Sequence, residues 1–215
     1  DYQLTAEKPI NDLLRYTLQS NLRFQIGLDE SEKYRQLTSL YPTNQNLKTI
    51  ALGQSIARQY NKPEDIINHV LNLFRTEPYF YTLSPPALSG DTVDQFLFET
   101  QRGFCEHYAG SFALLMRAAG IPSRIVAGYQ GGEYNELGNY LIVRQSDAHA
   151  WTEVWIKNRG WIRVDPTAAV SPDRIELGLD EALPNEILSF RIQNRSPLFG
   201  NVLFRWDSIQ NNWNN

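Results

Sequence analysis

Cysteine is nearly absent. Of 215 residues only Cys105 is one, so no disulfide can form within the chain. A structural zinc site needs four ligands and usually draws on several cysteines, and the three histidines (His69, His107 and His149) are scattered, so no metal is expected. Long apolar runs are missing as well. The best stretch, 111–116, is cut by Arg117 and then Arg124, far short of the ~18 residues of a membrane span. There is no basic excess. The net charge is −4, which argues against a general nucleic-acid binder. No acidic loop has EF-hand spacing, so calcium is not indicated. The chain starts at Asp1 without a signal-peptide pattern, and a mature form or an excised piece is expected.

What is present suits a folded domain. Hydrophobic residues make up 42% and charged residues 20%, outside the disordered class. A chain this long can bury a core without staples. Tyr16, Leu18, Leu22, Phe24 and Ile26 recur at even spacing, which predicts a half-buried strand ending at Gly27. Helices are expected over 29–37, over 46–60, and from Pro63, where Pro63, Glu64 and Asp65 suit a first turn. Residues 78–83 are aromatic and strand-like, Ser84-Pro85-Pro86 forces a loop, and 91–98 reads as a short helix. Tyr108, Phe112, Leu115 and Ala119 form one helical stripe, ended by Gly120 with Pro122 beyond. Strands are predicted at 124–129, 140–144, 150–156 and 161–165. The fold class is therefore α+β: helices packed on an antiparallel sheet of about four strands or more.

The chemistry is carried by Cys105, His149 and Asp165. Cys105 falls at the start of the 108–119 helix, where the positive end of the dipole favours a thiolate over the ordinary thiol with pKa ~8.5. His149 can take the thiol proton and later hand it to a leaving amine. Asp165 can hold the imidazole in one tautomer. Strand parity supports the last pair. Val154 and Ile156 share one face of their strand and Ile162 and Val164 share one of theirs; bringing these aliphatic faces together puts His149 and Asp165 on the opposite face. A 156–160 loop with Trp155 opposite Trp161 leaves Asp165 one diagonal step from His149, within reach of long side chains. A three-residue loop would separate them by a further step. Taken singly, each residue has a plainer reading: a small core cysteine, a satisfied core histidine, a turn-starting Asp before Pro166.

Four blocks, 103–109 (GFCEHYA), 116–124 (MRAAGIPSR), 147–154 (DAHAWTEV) and 160–167 (GWIRVDPT), together resemble the transglutaminase-like core. The flanking 81–86, 128–133 and 144–147 are similar to those of TgpA-type bacterial membrane transglutaminases. The resemblance implies a papain-like arrangement with catalytic Cys105, His149 and Asp165, and no cofactor. It implies a protein-glutamine γ-glutamyltransferase: a thioester formed from a glutamine γ-amide and passed to a primary amine. The partners would be protein or peptide substrates. Peptidase or amidase action on cell-envelope peptides, or a non-catalytic binding module on the same fold, are the alternatives. It also implies a periplasmic domain of an inner-membrane protein, whose membrane segments lie outside this chain. An oxidising periplasm suits a lone cysteine, which has no intrachain partner. The organisation expected is an extension over 1–62, a catalytic core over 63–180, and a C-terminal extension over 181–215 leading to a membrane anchor.

Auxiliary roles are less determined by pattern. The backbone N–H of Cys105 is one candidate oxyanion donor, and Tyr81, preferred over Tyr79, is a second or else a core residue. Asp147 either orients the His149 loop or caps it. Trp151, Trp155 and Trp161 either wall a substrate channel or pack the core. His107, two residues beyond the nucleophile, reads as structural, and His69 shows no partner.

Overall fold

The structure is a computed structural model that describes residues 24–173 and three isolated positions before them. In chain order the helices and strands are α1 (Glu32–Leu37), α2 (Leu47–Gln59), α3 (Pro63–Thr76), β1 (Phe80–Tyr81), α4 (Thr92–Gln95), β2 (Arg102–Gly103) and α5 (Cys105–Ala118). There follow β3 (Ser123–Tyr129), β4 (Glu133–Asn135), β5 (Tyr140–Ile142), β6 (Ala148–Ile156), β7 (Gly160–Val164) and α6 (Thr167–Val170). A π-helical turn, Phe96–Thr100, continues α4. The 181–215 extension and most of the predicted first strand lie outside the described residues. Of that strand, Ile26 bridges Trp161.

The core is built around α5. Its Tyr108, Phe112, Leu115 and Met116 are completely buried, and the Phe, Leu and Met side chains each stabilise the fold by ~1.5–3 kcal/mol relative to exposure. The helix stops as its sequence dictates. Gly120 takes φ +81°, its N–H donates to Arg117 O and the Ile121 N–H donates to Met116 O. These two bonds close the paired C-terminal motif that favours glycine. On one side α5 packs against α2, where Gly53 is required: a Cβ there would meet Leu115 O at 2.7 Å. Ile56 of α2 sits in the same core as Phe112 and Val154, so the boundary expected after residue 62 falls between elements that share one core. Helix α3 contributes Ile66, Ile67, Val70 and Phe74, one face at helical spacing.

On the other side α5 covers an antiparallel sheet ordered β3-β6-β7. Val154 is fully buried beneath it, and Thr152 Oγ1 donates to Ala109 O at 3.0 Å. This sheet has three strands among the described residues, not four or more. The strand expected over 140–144 is instead β5, which pairs with β4 in a separate hairpin. Tyr134 and Leu141 are opposite one another in that hairpin and both exposed. Its alternation therefore reflects a local ladder without a core to cover. The aromatic stretch 78–83 reduces to β1, paired in parallel with β2 so that Tyr81 lies beside Gly103.

Candidate active site

The β6–β7 ladder puts Trp155 opposite Trp161 and Thr152 opposite Val164. Continued by one residue, this register brings Asp165 level with Trp151, one diagonal step from His149, as strand parity predicts. The side chains meet: His149 Nε2 and Asp165 Oδ2 are 2.8 Å apart. The imidazole is completely enclosed and the carboxylate 10% exposed. Asp165 is itself held. Its Oδ1 accepts from the Thr167 N–H at 3.2 Å and its Oδ2 also accepts from Arg163 Nη2 at 3.4 Å.

Cys105 is the first residue of α5. Its thiol and His149 line one cavity of about 300 Å³, together with Tyr81, Phe104, Glu106 and Gly128. His149 Nδ1 is buried and has no hydrogen-bond partner among the described residues. The ring is thus fixed through Nε2 by Asp165 and keeps Nδ1 for another group. Burial pushes the His149 imidazole down, but its interactions with Asp165 and with the neighbouring Cys105 outweigh it, so its pKa lies above the ordinary histidine value. An imidazole so placed can accept a thiol proton and remain cationic beside the thiolate.

Gly128 pairs with His149 across β3 and β6. A Cβ there would meet the Trp151 ring at 2.8 Å. Trp151 in turn stacks beside the His149 imidazole, with ring centroids 6.3 Å apart, and carries the Arg163 guanidinium on its ring at 4.2 Å. Arg163 therefore touches both Asp165 and the ring that flanks His149. Its parity with Asp165 was the available sequence signal. Gln130, which accepts from Arg163 at 2.6 Å, left none.

The auxiliary candidates separate. Tyr81 lines the cavity and stacks on Tyr108, while the Tyr79 hydroxyl is engaged by Leu97 O at 3.0 Å. Asp147 caps its own loop: its carboxylate accepts from the Arg144 N–H at 2.7 Å. Trp155 and Trp161 do not line the cavity. Trp155 Nε1 donates to Gly27 O at 2.7 Å, and Trp161 Nε1 donates to Glu30 Oε2 at 3.0 Å. They clamp residues 27–30 to the sheet, which corrects the channel reading for both. Trp151 adjoins His149 but also lies outside the cavity lining. His107 accepts from the Phe104 N–H at 3.4 Å and packs beside Phe96 and Phe104, a structural place. His69 is partnered after all, by the Tyr60 hydroxyl at 3.0 Å. Among the described residues no cluster of histidine, cysteine or acidic side chains could hold a metal ion. No helix among them is long and apolar enough to cross a membrane.

The helix and sheet that bring Cys105, His149 and Asp165 together belong to a fold shared with known proteins. The transglutaminase-like superfamily model matches residues 50–166. The chain belongs to that superfamily. In particular it is similar to the periplasmic domain of TgpA from Pseudomonas aeruginosa, whose crystal structure matches with a TM-score of 0.71 at 48% identity, over 73% of this chain and 54% of that one. A curated Pseudomonas aeruginosa relative, protein-glutamine gamma-glutamyltransferase, is 41% identical over 99% of this chain and 33% of its own length. The Bacillus subtilis protein YebA is 36% identical over 64% of this chain and 19% of its own. The chain thus spans about a third of the first of these curated relatives and a smaller share of the second.

Proposed function

We propose that the domain is a thiol acyltransferase with Cys105 as nucleophile, His149 as base and Asp165 as orienting acid. The observation that carries this is the enclosed imidazole: tied to Asp165 through Nε2 and open at Nδ1 in the cavity that holds Cys105. Cys105 Sγ gives its proton to Nδ1 and attacks the carbonyl carbon of a glutamine γ-amide. The tetrahedral oxyanion is held by the Cys105 N–H, an unpaired donor of the helix start, and by the Tyr81 phenol. His149 then protonates the departing nitrogen, and ammonia leaves a thioester. A primary amine attacks that thioester, loses a proton to His149 and releases the thiolate, giving an isopeptide bond. Water in place of the amine gives deamidation. The name of the Pseudomonas relative supports glutamine as donor. The TgpA domain's periplasmic origin supports the same compartment here.

Incubation with a glutamine-containing protein and a labelled primary amine tests this. Covalent incorporation, lost in Cys105→Ala, is expected. Backbone cleavage, or ammonia release with no incorporation, would replace transfer by peptidase or amidase action.

A further inference from the structure

A second cavity, of about 520 Å³, lies between the 85–88 loop and the outer side of α5. Glu106 lines both this cavity and the one around Cys105, so the two spaces meet at its side chain, next to the nucleophile. We propose that Glu106 and the groove walled by Pro85, Leu88 and Val93 form the acyl-acceptor subsite, and that it selects a primary amine arriving as an alkylammonium on an apolar stem, as on a lysine side chain. The proposal rests on the acyl-transfer reading above.

Glu106 is exposed and has no hydrogen bond or ion pair among the described residues. No Lys or Arg lines either cavity. His107, the other titratable group of the groove, offers no countercharge: burial holds its imidazole below the ordinary histidine value, neutral at pH 7. An acid in a first helical turn is favoured by the dipole, but that does not account for its place at the junction of two open spaces. Beyond it the groove has an apolar wall of Pro85, Leu88 and Val93, with Thr92, His107 and Ser111 also lining it, and that wall suits the methylene stem of an amphipathic side chain whose charged head rests on Glu106. A carboxylate gathers ammonium ions but also holds their proton. The ammonium must shed one proton before its nitrogen attacks, forming C–N as C–S breaks. Glu106 therefore acts on acceptor KM and leaves kcat without gain.

The test follows partition of the acyl-enzyme between amine product and hydrolysis in one reaction, which cancels any change in acylation or in the amount of folded protein. N-α-acetyl-lysine is the cationic acceptor and hydroxylamine, mostly neutral at pH 7, the uncharged one. Glu106→Gln is expected to raise KM for the lysine derivative about fivefold, the scale of one partly exposed ion pair, with Glu106→Asp recovering part of it. The partition to hydroxylamine should hold. Leu88→Lys, which puts a positive charge in the groove, should also weaken the cationic acceptor selectively. An equal change for both nucleophiles in Glu106→Gln, or no change for either, overturns the proposal. If even hydroxylamine is never acylated by the unaltered domain, the acyl-transfer reading fails first and takes this one with it.

Discussion

Replacing Asp165 by Asn changes one atom type and tests the whole His149 geometry. Both carboxylate oxygens of Asp165 now accept: Oδ1 from the Thr167 N–H, and Oδ2 from His149 and Arg163. An amide must turn its NH2 group toward one side. Facing Thr167 it would oppose a backbone donor that cannot move away. Facing His149 it opposes Arg163, whose side chain is 45% exposed and can swing into water. The amide therefore settles with NH2 toward His149 Nε2, which forces the proton onto Nδ1. An imidazole protonated at Nδ1 cannot take the Cys105 proton, and the charge that stabilised its cation is gone. In serine-protease chemistry the equivalent tautomer defect costs about 10⁴ in turnover. Here a loss of about 10³–10⁴ in kcat/KM is expected, or ~4–5.5 kcal/mol of barrier. Amine incorporation measures the rate, and ¹⁵N chemical shifts of the imidazole read the tautomer directly. The thermal transition should remain cooperative, because the hydrogen-bond geometry is filled. A loss of under tenfold, or retention of the Nε2–H tautomer in the variant, would refute this reasoning.

Two further outcomes follow from the same geometry. Because the His149 pKa is raised in the folded state, its proton stabilises the fold fully below the ordinary value of ~6.5, and that contribution is lost as pH rises through the folded midpoint. An NMR titration should place the midpoint above ~6.5 and show it falling in Cys105→Ala and in Asp165→Asn; a midpoint below ~6.5 in the unaltered protein would contradict this. Asp94, 6% exposed, caps α2 by accepting from the Lys48 and Thr49 N–H groups and from Thr49 Oγ1, while Asn46 accepts from the Val93 and Asp94 N–H groups in return. Asp94→Ala should cost ~2–3 kcal/mol and lower Tm by roughly 5–10 °C in calorimetry; a shift of a degree or two would mean water replaces the cap.

Much of the site was legible because two physical constraints act on few residues. Aliphatic parity at 154, 156, 162 and 164 fixes which face the other residues occupy, and the β6–β7 register then leaves His149 and Asp165 little choice but to meet. Cys105 was readable as a helix start from the stripe that follows it and from its Gly120 stop. What escaped depends on contacts distant in sequence. Trp155 and Trp161 share the parity of His149, yet their partners lie at Gly27 and Glu30, more than a hundred residues earlier. No local pattern marks such a clamp. The strand at 140–144 was misplaced because alternation signals a strand but not its neighbour, and β4 is close by to pair with it. The π-helical turn at 96–100 followed from no spacing rule. Glu106 carries no spacing signal, because the second space beside it is closed by the distant loop carrying Pro85 and Pro86.

The central claim is that Cys105, activated by His149, becomes acylated. Mixing the domain with p-nitrophenyl acetate and reading intact mass within the first turnover tests it most directly. The expected result is a burst of nitrophenol matched by a single acetyl adduct that maps to Cys105, absent in Cys105→Ala and formed far more slowly in His149→Ala. Steady ester hydrolysis with no adduct, or an adduct that persists in Cys105→Ala, would contradict the account.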